Sequence, residues 1–362
     1  MTEGKTYFKG INGLRALAAL SVVVFHLNMS LKQYNLPLLR TIDLAGFGVT
    51  IFFAISGFLI TYLLLKEQDT QPIDIKKFYI RRALRIWPLY FLFLGLSLLT
   101  TYIYNIAPLP GNLLYYIFFA ANVPFIMDAT LPFLGHYWSL GVEEQFYIFW
   151  PWLIRNKKNV LRTVIIFTVS YFCLRVIARF IDYKFGYPVP YIAIHVTRFE
   201  CMSMGAIGAI LLHQNNQFFM RFCTHILTQF SCWTVIGLLL FNKYHIASVL
   251  DQEIVSAVAV CLIINLSCNP KTIVRMDYPI FDFLGKISYG IYVMHQLVIF
   301  YFARLLYHFE LQPGIKYPLV YIGVIGITIG LAYLSYEYFE KRFLVLKEKF
   351  SVVKSSTSPN GF

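Results

Sequence analysis

The sequence predicts an all-α fold, a polytopic transmembrane helical bundle, and three observations carry that prediction. Of 362 residues 58% are hydrophobic and 14% are charged, with a mean hydropathy of +0.62. A water-soluble fold of this size cannot hide that much apolar surface. Apolar runs of roughly 17 to 23 residues recur from end to end, each long enough to cross a hydrocarbon core about 30 Å thick as a helix. The basic residues behind the net charge of +13 gather between those runs. Lys66, Lys76, Lys77, Arg81, Arg82 and Arg85 fill one loop, Arg155, Lys157, Lys158 and Arg162 a second, and Lys341, Arg342, Lys347, Lys349 and Lys354 the C-terminal end. This is the pattern of cytoplasmic loops under the positive-inside rule. It lacks the interleaved aromatics of a nucleic-acid surface, so no nucleic-acid partner is expected.

Taken in order, the first run, 11–29, has a Lys-bearing head, but Arg15 interrupts it and no small-residue cleavage site precedes Lys32, so it reads as a retained helix. Further spans are expected at 44–65, 86–105, 137–154, 160–181, 197–213, 226–242, 254–268, 287–307 and 318–338. These make about ten crossings, with both termini on the cytoplasmic side. The stretch 112–127 is short and flanked by Pro108, Pro110, Pro124 and Pro132. Counting it as a crossing would throw the basic loop at 155–162 outside, so it is expected to be re-entrant or interfacial. The membrane domain is expected to fill 1–345. Residues 346–362, with Ser355, Ser356, Thr357 and Ser358 ahead of Pro359, read as a disordered cytoplasmic tail. The six cysteines show no ligand spacing, so neither disulfides nor a metal is expected.

Charges inside apolar runs carry the chemistry, because burying them is costly and needs a reason. Arg15 and His26 are eleven residues apart, which puts them on one stripe of the first helix about 16 Å apart along its axis. His26 suits a general base, since an imidazole titrates near neutral pH; the alternative is an Arg15 that snorkels to the interface and a histidine that merely satisfies a helix end. A base of this kind needs an orienting carboxylate. The run HYWSLGVEEQFY (136–147) supplies Glu143 and Glu144, with Ser139, Gln145 and Tyr147 as support. There the alternative is an interfacial helix start, Ser139 capping it and the acids favoured by the dipole. Arg81, Arg82 and Arg85 form a basic mouth that suits phosphate oxygens, or else a topological anchor. Ser288, Tyr292 and His295, spaced by four and three, make a polar stripe. Arg198 and Glu200 open the sixth span as an interfacial pair or a site element. Gly48 and Gly57 in GFGVTIFFAISGFLIT invite close approach of a helix or a ligand. No Walker loop, nucleophile elbow or dinucleotide fingerprint occurs.

In order, GLRALAALSVVVFHL, GVTIFFAISGFLIT, FYIRRALRIWPLY, HYWSLGVEEQFYIFWP and LGKISYGIYVMH resemble the signatures of the acyltransferase family 3 integral-membrane acyltransferases, over nearly the whole chain. By this resemblance Arg15 and His26 carry an essential first-helix pair, Arg82 and Arg85 a donor-side motif, and Glu143 the acidic position, with Glu144 the less certain carboxylate. Lys341 and Arg342 stand where the family often has a proline after glutamate. The resemblance implies a bacterial inner-membrane enzyme of stand-alone form, drawing on acetyl-CoA or another acyl-CoA. The expected acceptor is a hydroxyl of a cell-surface glycan or lipid-linked sugar, such as lipopolysaccharide O-antigen or exopolysaccharide. Acylation of a small metabolite such as a macrolide is the alternative within the family. A transporter or flippase is the alternative of another class, since buried charges also mark transport paths, but no repeat supports it. The sequence does not reveal the oligomeric state.

Overall fold

A computed structural model describes residues 8–39, 45–106, 111–155 and 158–351. Lys157, Lys354 and the serine-rich run at 355–358 lie outside the described residues. Among those described, every regular element is helical. The chain opens with α1 (Ile11–Met29), α2 (Ala45–Gln68) and α3 (Ile75–Ile103). Helix α3 starts well before the span expected at 86, because the Asp74 carboxylate caps it by accepting from the Lys77 N–H at 3.0 Å. The cap turns the basic mouth into helix, so Arg82 and Arg85 share a face.

The stretch at 112–127 makes no crossing. It forms two short helices, α4 (Leu113–Ile117) and α5 (Asn122–Ile126), broken where Phe119 adopts φ 55°. Next come α6 (Tyr137–Ile154), α7 (Val160–Phe185), α8 (Pro188–Thr197) and α9 (Phe199–His213). Arg198 takes φ 45° between α8 and α9, a left-handed conformation unfavourable for a long side chain, and it breaks the expected 197–213 span at its first turn. The remaining helices are α10 (Gln217–Thr224), α11 (Ile226–Leu240), α12 (Asp251–Cys268), α13 (Pro279–Lys286), α14 (Ser288–Leu306), α15 (Pro313–Ser335) and, after a π-helical turn at Tyr336–Glu340, α16 (Lys341–Glu348). Helix thus runs past the boundary expected at 345, and the tail can begin only beyond it.

Among the described residues, seven helical stretches are long and apolar enough to cross a membrane: α1, α2, α3, α7, α12, α14 and the run Pro313–Glu348. The pair α10 and α11, bent by 58°, makes an eighth. The protein is therefore multi-pass, and the count of about ten is approximate. Two expected spans fall short for physical reasons. In α6, Glu143, Glu144, Gln145 and aromatic side chains with polar ends dilute the apolar character, and α9 at 15 residues reaches only about 22 Å.

The basic segments do converge on one end of the bundle. There Gln68 donates to the Arg155 carbonyl at 2.9 Å, His213 meets Asp69 at 3.0 Å, Arg81 donates to the Phe350 carbonyl at 2.9 Å and Asn12 donates to Asp282 at 3.1 Å. At the opposite end Tyr34 donates to the Ile299 carbonyl and Tyr317 to the Pro37 carbonyl, both at 2.7 Å. Helices α2 and α9 cross backbone to backbone. A Cβ on Gly57 would run into the Met202 backbone and one on Gly205 into the Ala54 carbonyl, so at Gly57 a helix, not a ligand, makes the close approach.

Candidate active site

Helices α1, α2, α3, α6, α14 and α16 enclose a cavity of about 130 Å³, room for several ordered waters or one slender chain. Arg15 enters it from α1, Arg82 and Arg85 from α3, Ser139, Glu143 and Tyr147 from α6, Ser288 and Tyr292 from α14. Four separate sequence segments thus meet, as their polar residues inside apolar runs suggested. Two further side chains complete the lining: Ser56, whose hydroxyl is hydrogen-bonded to that of Tyr147, and Lys347 of α16. Lys347 is buried. Its position in a segment that reads as disordered tail hid it; only its place in a basic run hinted at a role.

The cavity is electrostatically lopsided. Arg15, Arg82, Arg85 and Lys347 face it against the single carboxylate of Glu143. Arg15 Nη1 and Arg82 Nε are buried without hydrogen-bond partners, and the Arg82 guanidinium sits 5.7 Å from the Tyr147 ring centroid. A buried group of cations that outnumbers the carboxylates beside it is costly, and an anion relieves that cost.

Arg81, Glu144 and Gln145 do not reach the cavity. Arg81 is committed to Glu67 at 2.7 Å. Glu144 accepts from the Trp87 indole at 3.1 Å, and Gln145 donates to the Phe119 carbonyl at 3.1 Å and to Asn122 at 2.7 Å, bracing the segment at 112–127. Ser139 is not a helix cap. It lies in the first turn of α6, where its hydroxyl donates to the His136 carbonyl at 3.2 Å and pairs with the Tyr292 hydroxyl at 2.5 Å. Ser288 donates to the Gly285 carbonyl at 2.8 Å. Arg198 and Glu200 do not pair with each other: Arg198 donates to Thr50 at 3.1 Å, and Glu200 accepts from Arg175 at 2.7 Å.

His26 stands apart from this cavity, and the expected pair with a carboxylate is not formed. The rise along α1 that separates it from Arg15 also separates it from Glu143, which lies at the Arg15 level. Its partner is His295, His26 Nδ1 and His295 Nε2 being 3.0 Å apart with the rings stacked at 4.9 Å. A third imidazole, His136, lies 4.8 Å from His295 and 6.3 Å from His26, centroid to centroid. Sequence reasoning passed over His136, although a histidine opening an apolar helix was visible in it. The Ser139–Tyr292 pair is the wall shared by cavity and cluster: both residues line the cavity, and Tyr292 also donates to the His136 carbonyl at 2.9 Å.

The fold and site define a multi-pass membrane helical bundle with a cation-lined internal cavity beside a cluster of histidines. The chain belongs to the acyltransferase-domain family, which it matches over residues 8–337. It is 30% identical over 372 residues, covering 93% of this chain and 57% of the other, to the Staphylococcus aureus (strain COL) protein "Putative O-acetyltransferase SACOL0978". It is 27% identical over 368 residues, covering 92% and 57%, to the O-acetyltransferase OatA of Staphylococcus aureus (strain NCTC 8325 / PS 47). The chain therefore spans 57% of the length of these curated relatives. No solved structure matches it.

Proposed function

We propose that this protein is an O-acyltransferase of the bacterial inner membrane that moves an acetyl or other short acyl group from acyl-CoA to a hydroxyl of a cell-surface glycan or its lipid-linked precursor. The observation that carries the reading is the excess of four cations over one carboxylate in the cavity. The donor's phosphates answer that charge at Arg82, Arg85 and Lys347, and its slender thioester-bearing arm suits the narrow space beyond. Arg15, about 16 Å from His26 along α1, adds a further charge for the donor's phosphates. Ser139, Tyr147, Ser288 and Tyr292 line the arm's route. Glu143 balances the cations and offers an acceptor to the arm's amides.

His26 takes the proton from the acceptor hydroxyl as its oxygen bonds to the acyl carbon; the C–S bond breaks, and the proton passes to the departing thiolate. The basic end of the bundle is the cytoplasmic one, with both termini on that side. Donor and acceptor then approach from opposite faces, and an exported glycan is modified. Two measurements test this. Coenzyme A should raise the melting temperature of the detergent-purified protein, which a transporter would not show. Surface glycan from cells expressing the protein should gain one acetyl mass per modified sugar relative to cells lacking it. No gain in glycan mass together with no stabilisation by coenzyme A would overturn the reading.

A further inference from the structure

The three clustered histidines are not equivalent. His295 and His136 are 0% and 2% exposed, whereas His26 is only partly buried, so of the three it is the one a reactant can reach. The two buried rings are each tied to a backbone carbonyl of α14. His295 Nδ1 lies 2.6 Å from the Tyr292 carbonyl and His136 Nε2 lies 3.2 Å from the Val293 carbonyl. A carbonyl oxygen only accepts, so His295 Nδ1 must carry a hydrogen. In a neutral imidazole the other nitrogen, Nε2, is then a lone pair. That lone pair is the atom 3.0 Å from His26 Nδ1, so the shared hydrogen belongs to His26.

We propose that His295 is a positioning residue: its Nε2 lone pair holds His26 in the Nδ1–H tautomer and leaves His26 Nε2 free to take the acceptor's proton. The inference rests on the function proposed above. His26 is Nδ1–H before transfer and imidazolium after it, and in both states the Nδ1–H···Nε2 hydrogen bond persists, so the ring does not turn during the step. The Tyr292 carbonyl does for His295 what a buried carboxylate does for the histidine of a hydrolytic triad: it fixes tautomer and orientation from behind. The titratable groups facing His295 are His26 on α1, His136 on α6 and Tyr292 on its own helix.

The test reads the tautomer directly. In protein labelled with ¹⁵N-histidine and held in nanodiscs, the imidazole signals lost in His26→Ala identify His26. In the wild type they should report a protonated Nδ1 and a bare Nε2. His295→Gln, whose amide oxygen still accepts, should preserve this state, and His295→Leu should populate the Nε2–H tautomer. Should His295→Leu fail to insert, His295→Phe withdraws the acceptor while keeping a planar ring of similar size. With acetyl-CoA as the probe and thiol release as the readout, His295→Leu should lower kcat about 10- to 100-fold with the acetyl-CoA KM unchanged, the range seen when an orienting partner is lost. His295→Gln should recover most of that loss and move the acid limb of the pH profile, which a purely structural role would not do. The proposal is overturned if wild-type His26 carries its hydrogen on Nε2, or if His295→Leu changes neither tautomer nor kcat. If the wild type does not turn over acetyl-CoA, the donor assignment fails while the tautomer measurement still decides the role of His295.

Discussion

Two buried charge clusters occupy this bundle, and they solve the same problem in opposite ways. Between α7, α9 and α12, Arg175 is paired at 2.7 Å with Glu200, both side chains 0% exposed, and is also hydrogen-bonded to Glu253. The cation there is held directly by carboxylates of the protein, and no cavity among those described is lined by them. Around the cavity of α1, α3, α6 and α16 the cations outnumber the carboxylates and face open space. A buried ion pair is a self-contained structural element whose loss of one partner strands a charge. A cation cluster facing a void instead leaves charge that an arriving anion can satisfy. Family membership alone does not separate the two, because each shows in sequence as charges inside apolar runs.

The comparison breaks most visibly at His26. His26→Ala should cut transfer by about 10²- to 10⁴-fold, the worth of a general base, with insertion and yield unchanged; retained transfer would remove His26 from the chemistry. Next in size is a contrast of stability. Arg175→Ala should cost about 3–5 kcal/mol by stranding Glu200, read as a large drop in melting temperature or loss of folded yield, whereas Arg82→Ala should barely move the melting temperature. Equal destabilisation by both would show that the cavity arginines are structural too.

A third, smaller effect separates binding from turnover. Arg82→Ala, Arg85→Ala or Lys347→Ala should raise the apparent donor constant about tenfold, equivalent to about 1.4 kcal/mol each, with less effect on turnover at saturation. Arg→Lys should restore only part of it, since the planar fork is lost. Arg81→Ala, its guanidinium spent on Glu67, should leave the donor constant within about twofold, as expected of a side chain outside the site. Unchanged donor affinity in the Arg82, Arg85 and Lys347 variants would reduce the cluster to a topological anchor.

The last prediction concerns sidedness and carries no energetic change. In a cysteine-free background, a cysteine at Gln71 should react with a membrane-impermeant maleimide only in inverted vesicles, and one at Gln33 only in intact spheroplasts. Labelling of both from the same side would dissolve the proposed approach of donor and acceptor from opposite faces.

Much of this was already in the linear order of residues. The helical class and the multi-pass character follow from composition and from the length of apolar runs, because a membrane leaves a helix as the simplest way to satisfy backbone polar groups. The ordered motifs pointed to the family, and Arg15, Arg82, Arg85, Glu143, Ser139, Tyr147, Ser288 and Tyr292 all reach one cavity, since a polar residue in an apolar helix turns inward. Partnership was not legible. Whether a buried histidine meets a carboxylate or another histidine depends on the relative height of α1, α6 and α14, which no single segment encodes. The tertiary packing alone set His26 against His295, committed Arg81 to Glu67 and Glu144 to Trp87, and folded Lys347 back beneath the arginines. Sequence fixes which groups must find partners inside the membrane, because desolvation acts on each residue by itself; hydrogen bonds and ion pairs act over about 3 Å, so only the assembled bundle decides which partners they find.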